Sequence, residues 1–163
     1  FCARAPRAHL IMQAVGPEAL TPFGRVDRNS SQELVLTCYV DLGGKRVAAL
    51  GEALQGGVSL RVLKLRGHIE SEGAVALAKA LRCNTSLRAL QLSSSFLGSL
   101  GAVVLGPALW SNGSLQVLDL NQDEVGHEGA VALGESLQSN ASLQKLRLEN
   151  TNMGPKGAAA LGA

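Results

Sequence analysis

Aromatic side chains are nearly missing from this chain: one Trp, one Tyr and three Phe make up 3% of its 163 residues. Ring stacking therefore cannot fill its core. The 28 Leu, 22 Ala and 19 Gly point instead to interdigitated Leu and close backbone approach. Cysteine is also scarce: Cys2, Cys38 and Cys83 are an odd set with no C-x-x-C pair, which excludes a disulfide framework and a thiolate zinc site. Fifteen Lys and Arg against thirteen Asp and Glu leave a net charge of +2. That bias is too weak to carry nucleic-acid binding or attachment to an anionic membrane. Long apolar runs are absent as well; near the start the longest is Leu10–Met12, too short for a membrane span or a signal h-region. Arg4 and Arg7, with no acid in the first 17 residues, are only a faint trace of a transit peptide. Reduced thiols without an export signal give a cytoplasmic setting as the expectation. A chain opening on Phe1 reads as part of a larger chain or complex. No G-x-x-x-x-G-K-[ST] loop is present, so no cofactor is expected.

What is present is a period. Ser-Leu recurs at residues 59, 86, 114 and 142, and the apolar positions between fall into columns. Leu60, Leu63, Leu65 and Ile69 align with Leu87, Leu90, Leu92 and Leu97. Leu115, Leu118, Leu120 and Val125 follow, then Leu143, Leu146, Leu148 and Met153. An earlier degenerate unit places Leu36, Cys38 and Leu42 in the same columns. A fixed period of this length marks a solenoid. The division reads as a flanking segment, 1–31, irregular or degenerate, and a repeat domain, 32–163. Its units are about 32–58, 59–85, 86–113, 114–141 and a truncated 142–163.

Each unit begins with alternation, as in Val62-Leu63-Lys64-Leu65-Arg66, the signature of a short strand with Leu inward. It then changes to a helical period, with Ala74, Leu77, Ala78 and Leu81 on one face. Gly51, Ala78, Gly106, Gly134 and Gly162 form a column of small residues, which predicts close packing of helix backbone onto the sheet. A second column, at Gly73, Gly101, Gly129 and Gly157, predicts a tight strand-to-helix approach. The expected fold is α/β: a curved solenoid with parallel strands on the concave side and helices on the convex side. Its last layer, Leu146, Leu148 and Leu161, has no polar cap, so association or fraying is expected there.

The pattern L-x-x-L-x-L followed by G-A-x-x-L-x-x-x-L resembles ribonuclease-inhibitor-type leucine-rich repeats, as found in ribonuclease inhibitor, NOD-like receptors and Ran GTPase-activating protein. The resemblance covers 59–163 well, 32–58 weakly and 1–31 not at all. It implies a leucine-rich-repeat horseshoe and leaves function open. The family places Asn or Cys at the turn after each strand, where this chain has Ser95, Asp123 and Thr151, and the unit 59–85 is one residue short near His68.

Three sequons, beginning at Asn84, Asn112 and Asn140, stand at the same point of successive units. Repeat register alone generates them, with Asn expected in a left-handed turn after each helix. His9, His68 and His127 make no metal or triad spacing. The polar loop Asp123, Glu124, His127 and Glu128 reads as solvated rather than metal-binding, and no catalytic constellation is expected.

Two surfaces remain. The outward strand residues read as Thr37, Lys64, Gln91, Asp119, Arg147 and, alongside, Tyr39, Arg66, Ser93, Asn121, Glu149. Their mixed signs suit a selective protein surface better than a polyanion groove. On the convex side Leu100 stands where other units have Glu72, Glu128 and Lys156; Trp110 stands where they have Gln55, Arg82 and Gln138. With Val103 and Pro107 these form one helical stripe. The expected function is a non-catalytic protein-interaction module, a scaffold or receptor segment. GTPase activation and a structural subunit of a large assembly are the alternatives.

Overall fold

The computed structural model describes residues 24–30, 33–38, 44–55 and 60–162, the first two stretches by backbone alone. Strands β1 (Gly24–Ser30) and β2 (Glu33–Cys38) come first, followed by α1 (Gly44–Gln55). Strand and helix then alternate: β3 (Val62–Arg66), α2 (Glu70–Cys83), β4 (Ala89–Gln91), α3 (Gly98–Ser111), β5 (Val117–Asp119), α4 (Gly126–Leu137), β6 (Lys145–Arg147) and α5 (Gly154–Leu161). All six strands join one sheet in chain order. β1 pairs antiparallel with β2, and every later pairing is parallel. Neighbouring strands sit about 4.8 Å apart while packed helices need about 8–10 Å, so the stack bends with the sheet inside. This is the α/β solenoid that the period predicts.

The core runs as a ridge between sheet and helices. Leu63, Leu65, Leu90, Leu92, Leu118 and Leu120 from the strand segments meet Leu77, Leu105 and Leu133 from the helices, all of them buried. In the last unit the equivalent Leu143, Leu146, Leu148 and Met153 are only half-buried.

Two expectations are corrected. The degenerate first unit is shifted by two residues: Leu34 pairs with Leu63 and Leu36 with Leu65, where the period aligned Leu36 and Cys38. A shift of two preserves the face each side chain takes, so the alternation gives no warning of it. Val35 thus pairs with Lys64 and Thr37 with Arg66. Tyr39 lies outside the described residues.

The first small-residue column, for its part, seats helix on helix rather than helix on sheet. A Cβ on Gly106 would stand 2.7 Å from the Ala132 carbonyl oxygen of α4, and one on Gly51 2.9 Å from that of Ala76 in α2. Gly134 meets the Ala160 carbonyl of α5 in the same way. The second column faces both backward and its own strand-to-helix turn, as expected of it: Gly129 lies against the Ala102 methyl and Gly157 against that of Ala130, while a Cβ on Gly101 would meet Leu97, just before α3, at 2.6 Å. The two middle helices, α3 and α4, therefore each offer one glycine to the successor and one to the predecessor. Spacing reveals that a position must be small, but not which neighbour crowds it.

Candidate interaction surfaces

The rim at the N-terminal ends of the parallel strands is held by an asparagine ladder. Asn112 Nδ2 donates to the Leu81 carbonyl at the end of α2 and to the Asn84 carbonyl, the latter at 3.1 Å. Its Oδ1 accepts the Ser114 and Leu115 N–H groups at 2.9 and 2.7 Å. Asn84 reaches the Leu54 carbonyl in the same manner, and Asn140 those of Leu109 and Asn112. The three sequon nitrogens are thus engaged with backbone. One detail differs from expectation: Asn84 and Asn112 are extended, with φ of −83° and −86°, not left-handed. An extended Asn can bond its own strand and the previous helix end together.

At the opposite rim the strand-to-helix turns carry the backbone strain. Ser94, Gln122 and Asn150 share a left-handed φ of 57° to 62° at equivalent positions. Phe96 also sits there, at φ 52°, a conformation costly for a bulky residue. Asp123 holds it in place. This fully buried carboxylate accepts the Ser95 N–H at 2.9 Å and the Leu97 N–H at 3.4 Å, on either side of Phe96, together with the Ser95 hydroxyl. The Phe96 ring, 64% exposed, stacks on exposed His68 of the preceding unit with ring centres 4.2 Å apart. The pair was not legible in the sequence, because it joins two units whose turns differ in length.

Burial pushes the Asp123 carboxyl up to about 6, against the opposing pull of its Leu97 and Ser95 hydrogen bonds. A raised folded-state value means that the neutral acid is the form the fold prefers. Its stabilisation is complete below about 4, the unfolded value, and is lost as pH rises through 6. Urea stability should therefore climb as pH falls from 7 to 4. Asp123→Asn, neutral at every pH, should exceed the unmodified chain by up to about 3 kcal/mol at pH 7 and match it near pH 4. Reading the difference between the two chains cancels the other carboxylates. A difference that is flat with pH, or an Asn variant weaker at pH 7, would count against burial as the ruling influence.

On the concave face, Lys64, Gln91, Asp119 and Arg147 stand on consecutive rungs of β3 to β6. Asp119 is buried and already partnered: Ser93 Oγ donates to it at 2.9 Å, Arg147 Nη1 at 3.2 Å and the Asn121 N–H at 3.1 Å. Asn121 Oδ1 in turn accepts the Glu149 N–H at 2.8 Å. This half of the face is a linked network, with Glu149 exposed beside it, while Arg66 is exposed at the end of β3.

The convex stripe lies on α3, which continues as one 14-residue helix through Pro107. Leu100 is 68% and Trp110 64% exposed; Pro107 is exposed and Val103 half-buried. Of the large hydrophobic side chains exposed among the described residues, Phe96, Leu100 and Trp110 all belong to the unit 86–113, and Val75 alone to another. No helix among the described residues is long and apolar enough to cross a membrane.

Residues 139–162 match the family model for the Leucine Rich repeat. The fold is similar to a solved structure titled Leiomodin-1 Actin-Binding Site 2 (ABS2), at a TM-score of 0.61 and 22% identity, covering 74% of this chain and 72% of that one. No curated protein matches the chain by sequence. Period, open parallel sheet and these two likenesses agree on a leucine-rich-repeat α/β solenoid.

Proposed function

We propose that this chain is a non-catalytic protein-interaction module whose principal contact is the α3 ridge of Leu100, Val103, Pro107 and Trp110. The supporting observation is the concentration of exposed large apolar side chains in one unit, at positions polar in its neighbours. A monomeric solenoid surface gains nothing from such a patch, and a partner that covers it does. The concave residues Lys64, Gln91 and Arg66 offer a separate, polar surface on the opposite side. A helix in every unit of 27 or 28 residues supports the ribonuclease-inhibitor-like subtype within the repeat family. The free, exposed Cys83 fits a reducing, cytoplasmic setting.

Actin is the first partner to try, on the printed name of the similar structure. The measurement is co-sedimentation with actin filaments, beside affinity capture from extract, for the unmodified chain, Leu100→Glu and a control on the next helix, Glu135→Lys. Leu100→Glu should lose the captured partner while Glu135→Lys keeps it, with melting temperatures alike. Capture of the same partners by all three chains would remove the ridge from the interface.

A further inference from the structure

From β3 to β6 the rim carrying the asparagine ladder holds cations and no carboxylate, while Glu33 opens β2 on the rung beside Val62. Residues 60–62, 81–89, 109–117 and 137–145 hold Arg61, Arg82, Arg88 and Lys145, without one Asp or Glu. The Arg88, Gln116 and Gln144 N–H groups donate to the Arg61, Arg88 and Gln116 carbonyls, each at 2.8 Å, which places these four residues on consecutive rungs. With rungs about 4.8 Å apart, the row is a continuous strip of guanidinium followed by amide heads. Arg88 is anchored: its Nη1 donates to the Ser114 carbonyl at 2.9 Å and to that of Thr85 at 3.4 Å. One end of the planar fork is thereby fixed and the bearing of its other donors is set. Trp110 forms the wall above. Arg88, Trp110, Gln116 and Gln144 line a single open groove, together with loop residues 111–114 and 139–142.

We propose that this groove docks an extended acidic segment of a partner protein, with an apolar side chain against Trp110, a carboxylate on Arg88 and the segment running out of the groove toward Arg61 on the next rung. This rests on the reading of α3 as a contact ridge, which Trp110 closes at its C-terminal end. Three features select that occupant. A lining without acids repels no carboxylate, the Arg fork pairs with carboxylates in bidentate fashion, and the amide heads can bond a peptide backbone. A nucleic-acid strand is served less well: two of the four rungs are uncharged, and one Trp offers a platform for one base only.

Trp110 is the only tryptophan in the chain, so its fluorescence reports on the groove directly. The unmodified chain is used to select binders from a random-peptide display library, and a recovered peptide is then titrated while Trp110 emission is followed. The recovered peptides should be acidic and carry an aromatic or large aliphatic residue. Binding should shift the emission and weaken with salt. Arg88→Gln should reduce affinity about tenfold or more with an unchanged melting temperature, as expected for an anchoring Arg. Failure to recover peptides, a neutral or basic consensus, unaltered binding by Arg88→Gln, or displacement of the peptide by oligouridylate would each overturn the proposal. The two readings fail separately. If Leu100→Glu abolishes partner capture while Arg88→Gln changes no binding, the ridge stands and the groove falls. If acidic peptides bind through Arg88 while Leu100→Glu captures normally, the ridge is the one withdrawn.

Discussion

Asn112→Asp should unfold this domain more readily than any change of one atom elsewhere on its rim. Asn112 is 4% exposed, and its amide nitrogen lies between the Leu81 and Asn84 carbonyl oxygens. Exchange of that nitrogen for oxygen removes two donated hydrogen bonds and sets a buried carboxylate against two acceptors. An unpaired buried charge of this kind costs about 3–5 kcal/mol. The Oδ1 side, which receives Ser114 and Leu115, is unaltered, so the loss belongs to the inter-unit bonds. Ser114→Ala provides the comparison. It destroys the same sequon but gives up only what the Ser114 hydroxyl donates, to the Asn84 carbonyl at 3.1 Å and to Asn112 Oδ1 at 3.3 Å, worth about 1 kcal/mol. Denaturant midpoints of the two variants test this. Equal midpoints would mean that the ladder contributes nothing beyond the hydroxyl.

A second pair of substitutions separates core from contact surface. Leu105 is fully buried on the inner face of α3, and Trp110, five residues on, is 64% exposed. Leu105→Ala should cost about 3–5 kcal/mol through lost burial and the cavity left behind. Trp110→Arg introduces the residue that α2 carries at the same position, Arg82, and should change stability by about 0.5 kcal/mol or less. Thermal melts therefore order the three chains, with Leu105→Ala well below the other two. A Trp110→Arg chain that melts as early as Leu105→Ala would place the indole in the core and end its candidacy as a contact.

Strands, helices and their order were legible because Leu, Ala and Gly recur at a period that only a solenoid uses. The convex stripe was legible for the same reason: Leu100 and Trp110 interrupt columns otherwise filled by charged and amide side chains. Three things were hidden. The two-residue slip of the first unit preserves inward and outward faces, so the alternation looks the same in either register. The glycine columns announce a need for space without naming the neighbouring helix that occupies it. The environment of Asp123 depends on the Ser95 and Leu97 amides of the previous unit, and a sequence read one repeat at a time contains no such contact. The groove beside Arg88 was missed on similar grounds. Its lining residues, Arg88, Trp110, Gln116 and Gln144, come from separate repeats and gather only when the strands lie side by side.

The asparagine ladder has a direction. Every Asn receives from its own strand and gives to the helix end of the unit before it, so each unit is completed by its predecessor. Asn84, Asn112 and Asn140 keep a constant interval of 28 residues along the chain. A tandem duplication of one such interval would arrive with its own donor, find the preceding carbonyls in place and leave its own for the next arrival. Arrays of this kind can lengthen or shorten by whole units in evolution without a compensating substitution anywhere else.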